Sequence, residues 1–137
     1  MKDDCIFCKI AKGSIPSATV YEDRLFRVIL DINPASKGHC LIIPKEHFDN
    51  IYDLDGETAG RLFSLATCIA RALRDALGCD GLNIVQNNGL IAGQTVFHFH
   101  LHLIPRYQGD DIKVGWVPHP ANPEDLEALR QAIKEAI

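Results

Sequence analysis

The sequence predicts an α+β domain in which an antiparallel sheet of about five strands packs with one long helix and a C-terminal helix. Strand-like segments follow one another with short turns between them, which favours an antiparallel sheet over parallel βαβ units. The chain has 137 residues, enough for one buried core, and its 47% hydrophobic and 23% charged residues are ordinary for a globular protein. We therefore expect residues 1–137 to form a single domain.

The first predicted elements are a helical turn and a hairpin. Residues 3–12 mix cysteine, isoleucine, phenylalanine and lysine and suit a short helical turn, which Pro16 ends. Residues 20–21 and 25–30 have the composition of strands, and residues 22–24 between them suit the turn of a hairpin.

The middle of the chain supplies a buried strand and the longest helix. Residues 33–38 indicate a loop, and residues 39–44 a buried strand that its final proline stops. Residues 56–77 are predicted to form the long helix, which Gly78 and Gly81 close. Its apolar residues recur at helical spacing: Leu62, Leu65, Ile69, Leu73 and Ala76.

The last third of the chain alternates strands with a glycine-rich loop. Residues 82–86 predict a strand, residues 87–93 a loop, and residues from about 95 to 104 a strand that contains three histidines. A final amphipathic helix over about 123–137 follows Asn122, whose side chain suits the N-cap and precedes an acidic first turn.

Charge and hydropathy exclude several classes of function. The net charge is −4 with a pI near 5.8, and Lys and Arg form no cluster, so we expect no binding to a nucleic-acid backbone. No apolar run approaches the ~20 residues of a membrane span. Residues 1–4 are too polar to open a signal peptide. These observations predict a cytoplasmic protein without membrane contact.

Three histidines alternate strictly in the sequence, at His98, His100 and His102. Alternate residues of a strand share a face, so the three imidazoles should form one row. The residues between and beside them are apolar and should point into a core: Phe97, Phe99, Leu101 and Leu103. Such a row suits either metal binding or the handling of protons and phosphates.

A metal site built from this row alone is limited by its length. Three alternating residues span about 13 Å on a regular strand, whereas zinc needs every ligand near 2 Å. One zinc could still use part of the row together with remote ligands.

The loop before the row favours phosphate chemistry. Gly89 and Gly93 let the backbone turn and expose N–H groups, which make an anion-binding concavity. Asn87, Gln94 and Thr95 add neutral donors. An anion cradle beside a histidine row fits the attack of an imidazole on phosphorus.

Cys5 and Cys8 form the Cys-x-x-Cys pair of the chain. In a reducing compartment this pair indicates a metal knuckle or a redox couple, and the βαβ pattern expected for the redox couple is missing. The remaining cysteines are scattered and are predicted to be small, semi-buried residues: Cys40, Cys68 and Cys79.

Residues 93–106 closely resemble the histidine triad family of nucleotide hydrolases and transferases, whose signature is His-φ-His-φ-His-φ-φ. The resemblance covers about residues 5–107 and leaves the last thirty or so without a clear match. Further segments also carry it: 5–10, 31–34, 38–39 and 43–47. It implies the HIT fold and a homodimer in which the sheet extends across two subunits.

The resemblance also implies roles for residues of the row and the loop. His100 resembles the nucleophile that takes the nucleotidyl group, and His102 a ligand of phosphate oxygens that helps the leaving group. His98 belongs to the same catalytic row. Gln94 and Thr95 could position the leaving group or the attacking water. The phosphate cradle would comprise Asn87, Gly93, Gln94 and Thr95.

The remaining expected positions form the pocket for the nucleoside. Asp31 resembles the acceptor of the ribose hydroxyls, although a turn-capping role stays open. His39 resembles a partner that orients His100. Trp116 could belong to the core or cap the cleft, even from a partner subunit. The apolar base pocket would comprise Ile6, Phe7, Ile10, Ile29, Leu30 and Ile32.

By the same resemblance, a structural zinc is expected on Cys5, Cys8, His47 and His98. Some bacterial members of the family carry zinc on these positions and others lack the cysteines, which places zinc outside the chemistry. Two thiolates and two imidazoles make a closed structural site.

The function implied by the resemblance is hydrolysis of a purine nucleoside monophosphate derivative of the phosphoramidate type. Attack at the α-phosphorus would form a nucleotidyl-histidine on His100, and water would then release the nucleoside monophosphate. Two alternatives stay open at this point. One is a dinucleoside polyphosphate hydrolase, and the other is a non-catalytic, zinc-stabilised nucleotide-binding module that acts through a protein partner.

Overall fold

The computed structural model describes residues 2–137, so only Met1 of the predicted domain lies outside the described residues. It contains helices α1 (Ile6–Ala11), α2 (Gly56–Leu77) and α3 (Pro123–Ala136), and a 3₁₀ turn at Leu90–Ala92. Its strands are β1 (Thr19–Glu22), β2 (Phe26–Leu30), β3 (Cys40–Pro44), β4 (Gly81–Val85) and β5 (Leu101–Arg106). The described residues thus form the helices and the number of strands that the sequence predicts.

The five described strands form one sheet in the order β1-β2-β3-β5-β4, and every neighbouring pair is antiparallel. The prediction of an antiparallel α+β fold is therefore confirmed. Strand β5 lies inside the sheet, where His102 pairs with Leu41 of β3 on one side and with Val85 of β4 on the other. The backbone of His102 is consequently held from both sides.

Helix α2 covers one face of this sheet. Asp55 caps its start by accepting a hydrogen bond from the backbone N–H of Thr58, and Gly78 ends it with a left-handed φ of 62°. Gly81, predicted as a second closing residue, instead begins β4. The helix buries one apolar stripe against the core of the sheet: Leu62, Ala66, Ile69 and Leu73.

The histidine row departs from a regular strand at its first half. Strand β5 begins at Leu101, so the predicted start near residue 95 is wrong. Phe97 is 44% exposed, which contradicts its predicted place in the core, whereas Phe99 is buried as predicted. The Phe99 N–H donates to the carbonyl of Phe48 at 2.6 Å instead of joining a ladder. Leu101 and Leu103 are buried as predicted.

The C-terminal part lies on the surface. Asn122 caps α3 through the N–H groups of Glu124 and Asp125, as predicted. All residues of α3, each of them described, are exposed. Trp116 is 86% exposed, so of the two alternatives considered for it, the core position is wrong. Among residues 2–137, no helix is long and apolar enough to cross a membrane.

Candidate active site and metal centre

A cavity of about 390 Å³ opens between α1, the end of β2 and the histidine row. Most of the residues that the sequence predicts for the nucleotide line it. Its walls are apolar toward α1 and polar toward the histidines. The predicted residues found here are Ile6, Phe7, Ile10, Ile29, Leu30, Asp31, Ile32, Thr95, His100 and His102.

Six further residues complete the lining and were missed by sequence reasoning. Leu41 alternates with Ile43 along β3, and this period of two could have placed it on the same face of the sheet. The other five residues lie in loops, and no sequence pattern shows which loop residues will face the cavity. They are Ile15, Pro16, Ser17, Asn33 and Val96.

His100 is buried at the inner end of this cavity. Its Nδ1 lies 2.7 Å from the backbone carbonyl of His98. A carbonyl only accepts, so Nδ1 carries the proton and Nε2 keeps its lone pair. Burial lowers the pKa of His100, which also favours the neutral ring. This state is the one that an imidazole nucleophile requires.

His102 stands beside His100, with 4.8 Å between the ring centroids. Burial, with smaller effects of the neighbouring His100 and His39, lowers the pKa of His102 to about 4. Its Nδ1 lies 2.9 Å from Nε2 of His39. The expectation that His39 orients His100 is therefore corrected, because the hydrogen bond of His39 is made with His102.

Asp31 lies at the end of β2, where the strand meets the cavity. One carboxylate oxygen accepts a hydrogen bond from the N–H of Asn33 at 2.8 Å. This contact is the turn cap that the sequence left open for Asp31. The other oxygen lies 3.7 Å from Nε2 of His39. The side chain thus caps a turn and also presents a carboxylate to the cavity.

Gln94 does not line the cavity, although the sequence predicted it as a catalytic and phosphate-binding residue. The side chain is 2% exposed. Its Nε2 donates to the carbonyls of Asp49 and Val96 at 2.7 and 3.1 Å, and its Oε1 accepts the N–H of Gly89 at 2.8 Å. These bonds occupy the amide with the backbone, so Gln94 serves to fix the loop.

Asn87 and Gly93, the other predicted cradle residues, lie next to each other in this loop. Asn87 Nδ2 is 3.5 Å from the Gly93 carbonyl, and Gly93 has a φ of 95°. A side chain is strained at this φ and would meet the Asn87 amide at 3.4 Å. In the part of the chain that is described, Thr95 is the cradle residue that lines the cavity.

The four predicted zinc ligands converge on one point. One ligand atom from each of Cys5, Cys8, His47 and His98 lies within 4.8 Å of the others. Three of the four sulfur-to-nitrogen distances are 3.3 to 3.5 Å, and Nδ1 of His47 is 3.1 Å from Nδ1 of His98. A tetrahedral zinc with bonds of about 2.3 Å to sulfur and 2.0 Å to nitrogen separates such atoms by roughly 3.5 and 3.3 Å.

The protonation of the two imidazoles also fits a metal. His98 Nε2 donates to the Pro44 carbonyl at 2.8 Å, which leaves Nδ1 unprotonated toward the thiols. His47 Nε2 lies 2.7 Å from the carboxylate of Asp49. Such outer partners orient metal-bound imidazoles. Asp49 was missed from the sequence, although its position two residues after His47 was a usable signal.

The structure therefore places His98 with the other predicted zinc ligands, while the sequence also predicted it as a catalytic residue. Both of its ring nitrogens are engaged, one by Pro44 and the other by the ligand cluster. Its side chain is fully buried. His100 and His102 are the two residues of the row that line the cavity.

Known proteins are similar in sequence to this chain over nearly its whole length. The chain is 46% identical to the Hit protein of Bacillus subtilis, over 98% of this chain and 95% of that protein. It is 41% identical to the adenosine 5'-monophosphoramidase of Schizosaccharomyces pombe, over 97% of this chain and 98% of that one.

Solved structures agree with these relatives. A protein of Streptococcus mutans has a TM-score of 0.96 at 46% identity, covering 99% of this chain and 87% of its own. A zinc-bound histidine triad family protein of Mycobacterium smegmatis has a TM-score of 0.75 at 42% identity, covering 97% and 95%. The HIT domain family matches residues 12–109. With its fold, its histidine row and these relatives, the chain belongs to the HIT domain family.

Proposed function

We propose that this protein hydrolyses nucleoside 5'-monophosphate derivatives at the α-phosphorus, with phosphoramidates as the preferred class. One observation carries the proposal. The lone pair of His100 Nε2 is left free, in a cavity that has apolar walls at one side and Asp31 and His102 at the other. An unprotonated imidazole so placed is a nucleophile beside a nucleotide-sized pocket.

The chemistry proceeds in two displacements. His100 Nε2 forms a bond to phosphorus while the bond from phosphorus to the leaving group breaks, and the electron pair departs with the leaving nitrogen. Water then attacks the same phosphorus and gives up a proton to the solvent, and His100 leaves with its electron pair restored. The hydrogen bond from Nδ1 to the carbonyl of His98 holds the ring in position throughout.

The substrate is oriented by the two ends of the cavity. The apolar side chains of α1 and β2 hold the base, with Phe7 and Ile10 from the helix and Ile29 from the strand. Asp31 accepts hydrogen bonds from the ribose hydroxyls, since a carboxylate can take two such bonds. A flat purine fits the apolar end best, because a larger ring buries more apolar surface. Thr95 donates to the phosphate.

Cys5, Cys8, His47 and His98 hold a structural zinc in this proposal. When bound, the metal supplies free energy of folding by joining α1 to the histidine row. The distances among the four ligand atoms and the zinc-bound relative of Mycobacterium smegmatis support it. All four ligand positions are filled by the chain, which leaves the metal outside the reaction.

A homodimer completes the proposal. Helix α3 is amphipathic, with an acidic first turn, yet it buries none of its described residues within its own chain. Strand β4 lies at one edge of the sheet, where its outer backbone groups are free to pair with a second copy. Both features support association of two chains. Residues 1–137 act as one domain within this assembly.

The test is turnover of two substrates assayed side by side. We expect adenosine 5'-phosphoramidate to be hydrolysed to AMP with a higher kcat/KM than a diadenosine polyphosphate. The name of the Schizosaccharomyces pombe relative supports this order. A preference for the polyphosphate would favour the alternative hydrolase. Binding of AMP without turnover of either compound would favour a nucleotide-binding module.

A further inference from the structure

A chain of hydrogen bonds fixes which nitrogen of His102 carries the proton. The backbone N–H of Ala35 donates to Nδ1 of His39 at 2.9 Å. Because an N–H can only donate, Nδ1 of His39 holds a lone pair, and the proton of the neutral ring sits on Nε2. Nε2 of His39 lies 2.9 Å from Nδ1 of His102 and donates to it.

His102 is therefore held in one tautomer. Its Nδ1 accepts from His39, so its own proton sits on Nε2, which is the other edge of the ring. His100 has the opposite arrangement, since its Nδ1 donates to the carbonyl of His98. Two adjacent imidazoles that line one cavity thus differ, one with a lone pair and the other with an N–H at Nε2.

The same series of hydrogen bonds opposes a positive charge on His102. A proton on its Nδ1 would face the N–H of His39, and His39 cannot turn its own proton away without losing the bond from Ala35. Burial acts in the same direction and is the largest of the effects that lower the pKa of His102 to about 4. The charged or titratable groups that face it are His100, His39 and Asp31. Asp31 alone favours the cation, and its effect is smaller than that of burial, His100 or His39.

We propose that His102 acts as a neutral hydrogen-bond donor to a phosphoryl oxygen and transfers no proton, and that His39 is the positioning residue that holds it in this tautomer. The inference rests on the proposed function of the cavity. The N–H of His102 strengthens its bond as charge grows on the oxygen. A neutral imidazole can polarise an oxygen on which negative charge develops in this way. The leaving amine takes its proton from water.

The first test reads the tautomer directly and needs no activity. In the full-length protein labelled with ¹⁵N-histidine, at pH 7.5, we expect His102 to show a protonated Nε2 and an unprotonated Nδ1. His39→Leu removes the donor, so His102 should then populate both tautomers. His39→Gln keeps an amide N–H and should restore much of the original population. His119→Gln, at an exposed position, is the matched control.

The second test separates a neutral donor from a proton donor. Two adenosine phosphoramidates are compared, one with an alkylamine and one with an aromatic amine as leaving group. A residue that protonates the amine matters more for the alkylamine, which is the poorer leaving group. We expect His39→Leu to lower kcat/KM by roughly ten- to a hundredfold. The loss should be equal for both substrates within about threefold.

Each outcome decides the inference. An imidazolium at His102 near neutral pH, or a protonated Nδ1, would overturn it even in the wild-type protein. So would a selective loss on the alkylamine in His39→Leu or His102→Gln. If the wild-type protein turns over neither substrate, the proposed function fails, while the ¹⁵N measurement still reports the tautomer. If His39→Leu does not fold, His39→Gln and the wild-type spectrum carry the test.

Discussion

Phe7 stands edge-on to His100, with 4.9 Å between the ring centroids and an interplanar angle of 87°. Phe7 lies on α1 between Cys5 and Cys8, whose sulfurs meet His47 and His98. The N-cap and the body of one short helix therefore supply two of the proposed zinc ligands and part of the wall of the cavity. Loosening the metal centre should disturb nucleotide binding through Phe7.

Replacing both cysteines tests this coupling. Cys5→Ser with Cys8→Ser should abolish binding of one zinc per chain, lower the Tm, and weaken AMP binding. Loss of about 3 kcal/mol of stability would lower the Tm of a domain of this size by roughly 10 °C. Metal analysis, thermal melting and calorimetric titration with AMP measure the three effects. Cys68→Ser, at an exposed cysteine, is the control and should change none of them.

Two results would contradict the zinc proposal. One is a wild-type protein, purified without chelators, that contains no zinc. The other is zinc that stays bound in the double variant and disappears in His100→Ala, which would indicate a metal in the cavity instead.

His100→Ala should abolish turnover and leave AMP binding largely intact. The substitution removes the nucleophile, and loss of such a group lowers kcat by several orders of magnitude. The cavity keeps its apolar walls and Asp31, so the affinity for AMP should change little. Steady-state kinetics and titration measure the two quantities. A variant that retains more than about a tenth of wild-type kcat would exclude His100 as the nucleophile.

Asp31→Ala should remove discrimination between ribose and deoxyribose. Loss of charge-assisted hydrogen bonds of this kind costs on the order of 1.5–3 kcal/mol, or about ten- to a hundredfold in affinity for AMP. The affinity for deoxy-AMP should fall less. Asp31→Asn is the informative control, because its amide oxygen can still accept the N–H of Asn33. If Asp31→Ala still prefers AMP as strongly as the wild type does, the residue only caps a turn.

Gln94→Ala should lower stability more than it lowers the rate of the folded protein. The substitution leaves the N–H of Gly89 and the carbonyl of Asp49 without their side-chain partner. A buried polar group that loses its partner costs about 1–3 kcal/mol. Urea unfolding gives the stability, and kcat is measured well below the Tm. If stability is unchanged while kcat falls a hundredfold, Gln94 has the catalytic role that the sequence predicted.

Because His102 is neutral in the folded protein, the free energy of unfolding should depend on pH. The pKa of His102 is about 4 in the folded protein and near 6.5 in the unfolded chain. This depressed pKa contributes stability above pH 6.5 that is lost as the pH falls toward 4, because the unfolded state takes up the proton first. The free energy of unfolding should drop across this window, and His102→Gln should drop less. Equal slopes for both proteins would refute this contribution.

The fold was predictable because its signals are local. Helical spacing along residues 56–77, the strand patterns and the Asn122 cap each specify an element within a few residues. The four proposed zinc ligands were predicted through the family resemblance, since the side chains of His47 and Cys8 meet only in the folded chain.

Other parts of the site depend on contacts that no local pattern encodes. Gln94 is directed inward by the carbonyl of Asp49, 45 residues away along the chain. His39 reaches His102 across 63 residues. Strict alternation at residues 97–99 suggested a strand, yet the backbone there bends to bring Phe99 to the carbonyl of Phe48.

The tautomers of three imidazoles in this site are set by main-chain groups. The carbonyl of Pro44 sets His98, the carbonyl of His98 sets His100, and the N–H of Ala35 sets His39. A side-chain substitution cannot delete a carbonyl, and only proline deletes an N–H. The side chains at positions 35 and 44 can therefore change while the imidazoles of the site keep their tautomers. At position 35 only proline would remove this N–H, so the tautomer of His39 does not depend on which other side chain stands there.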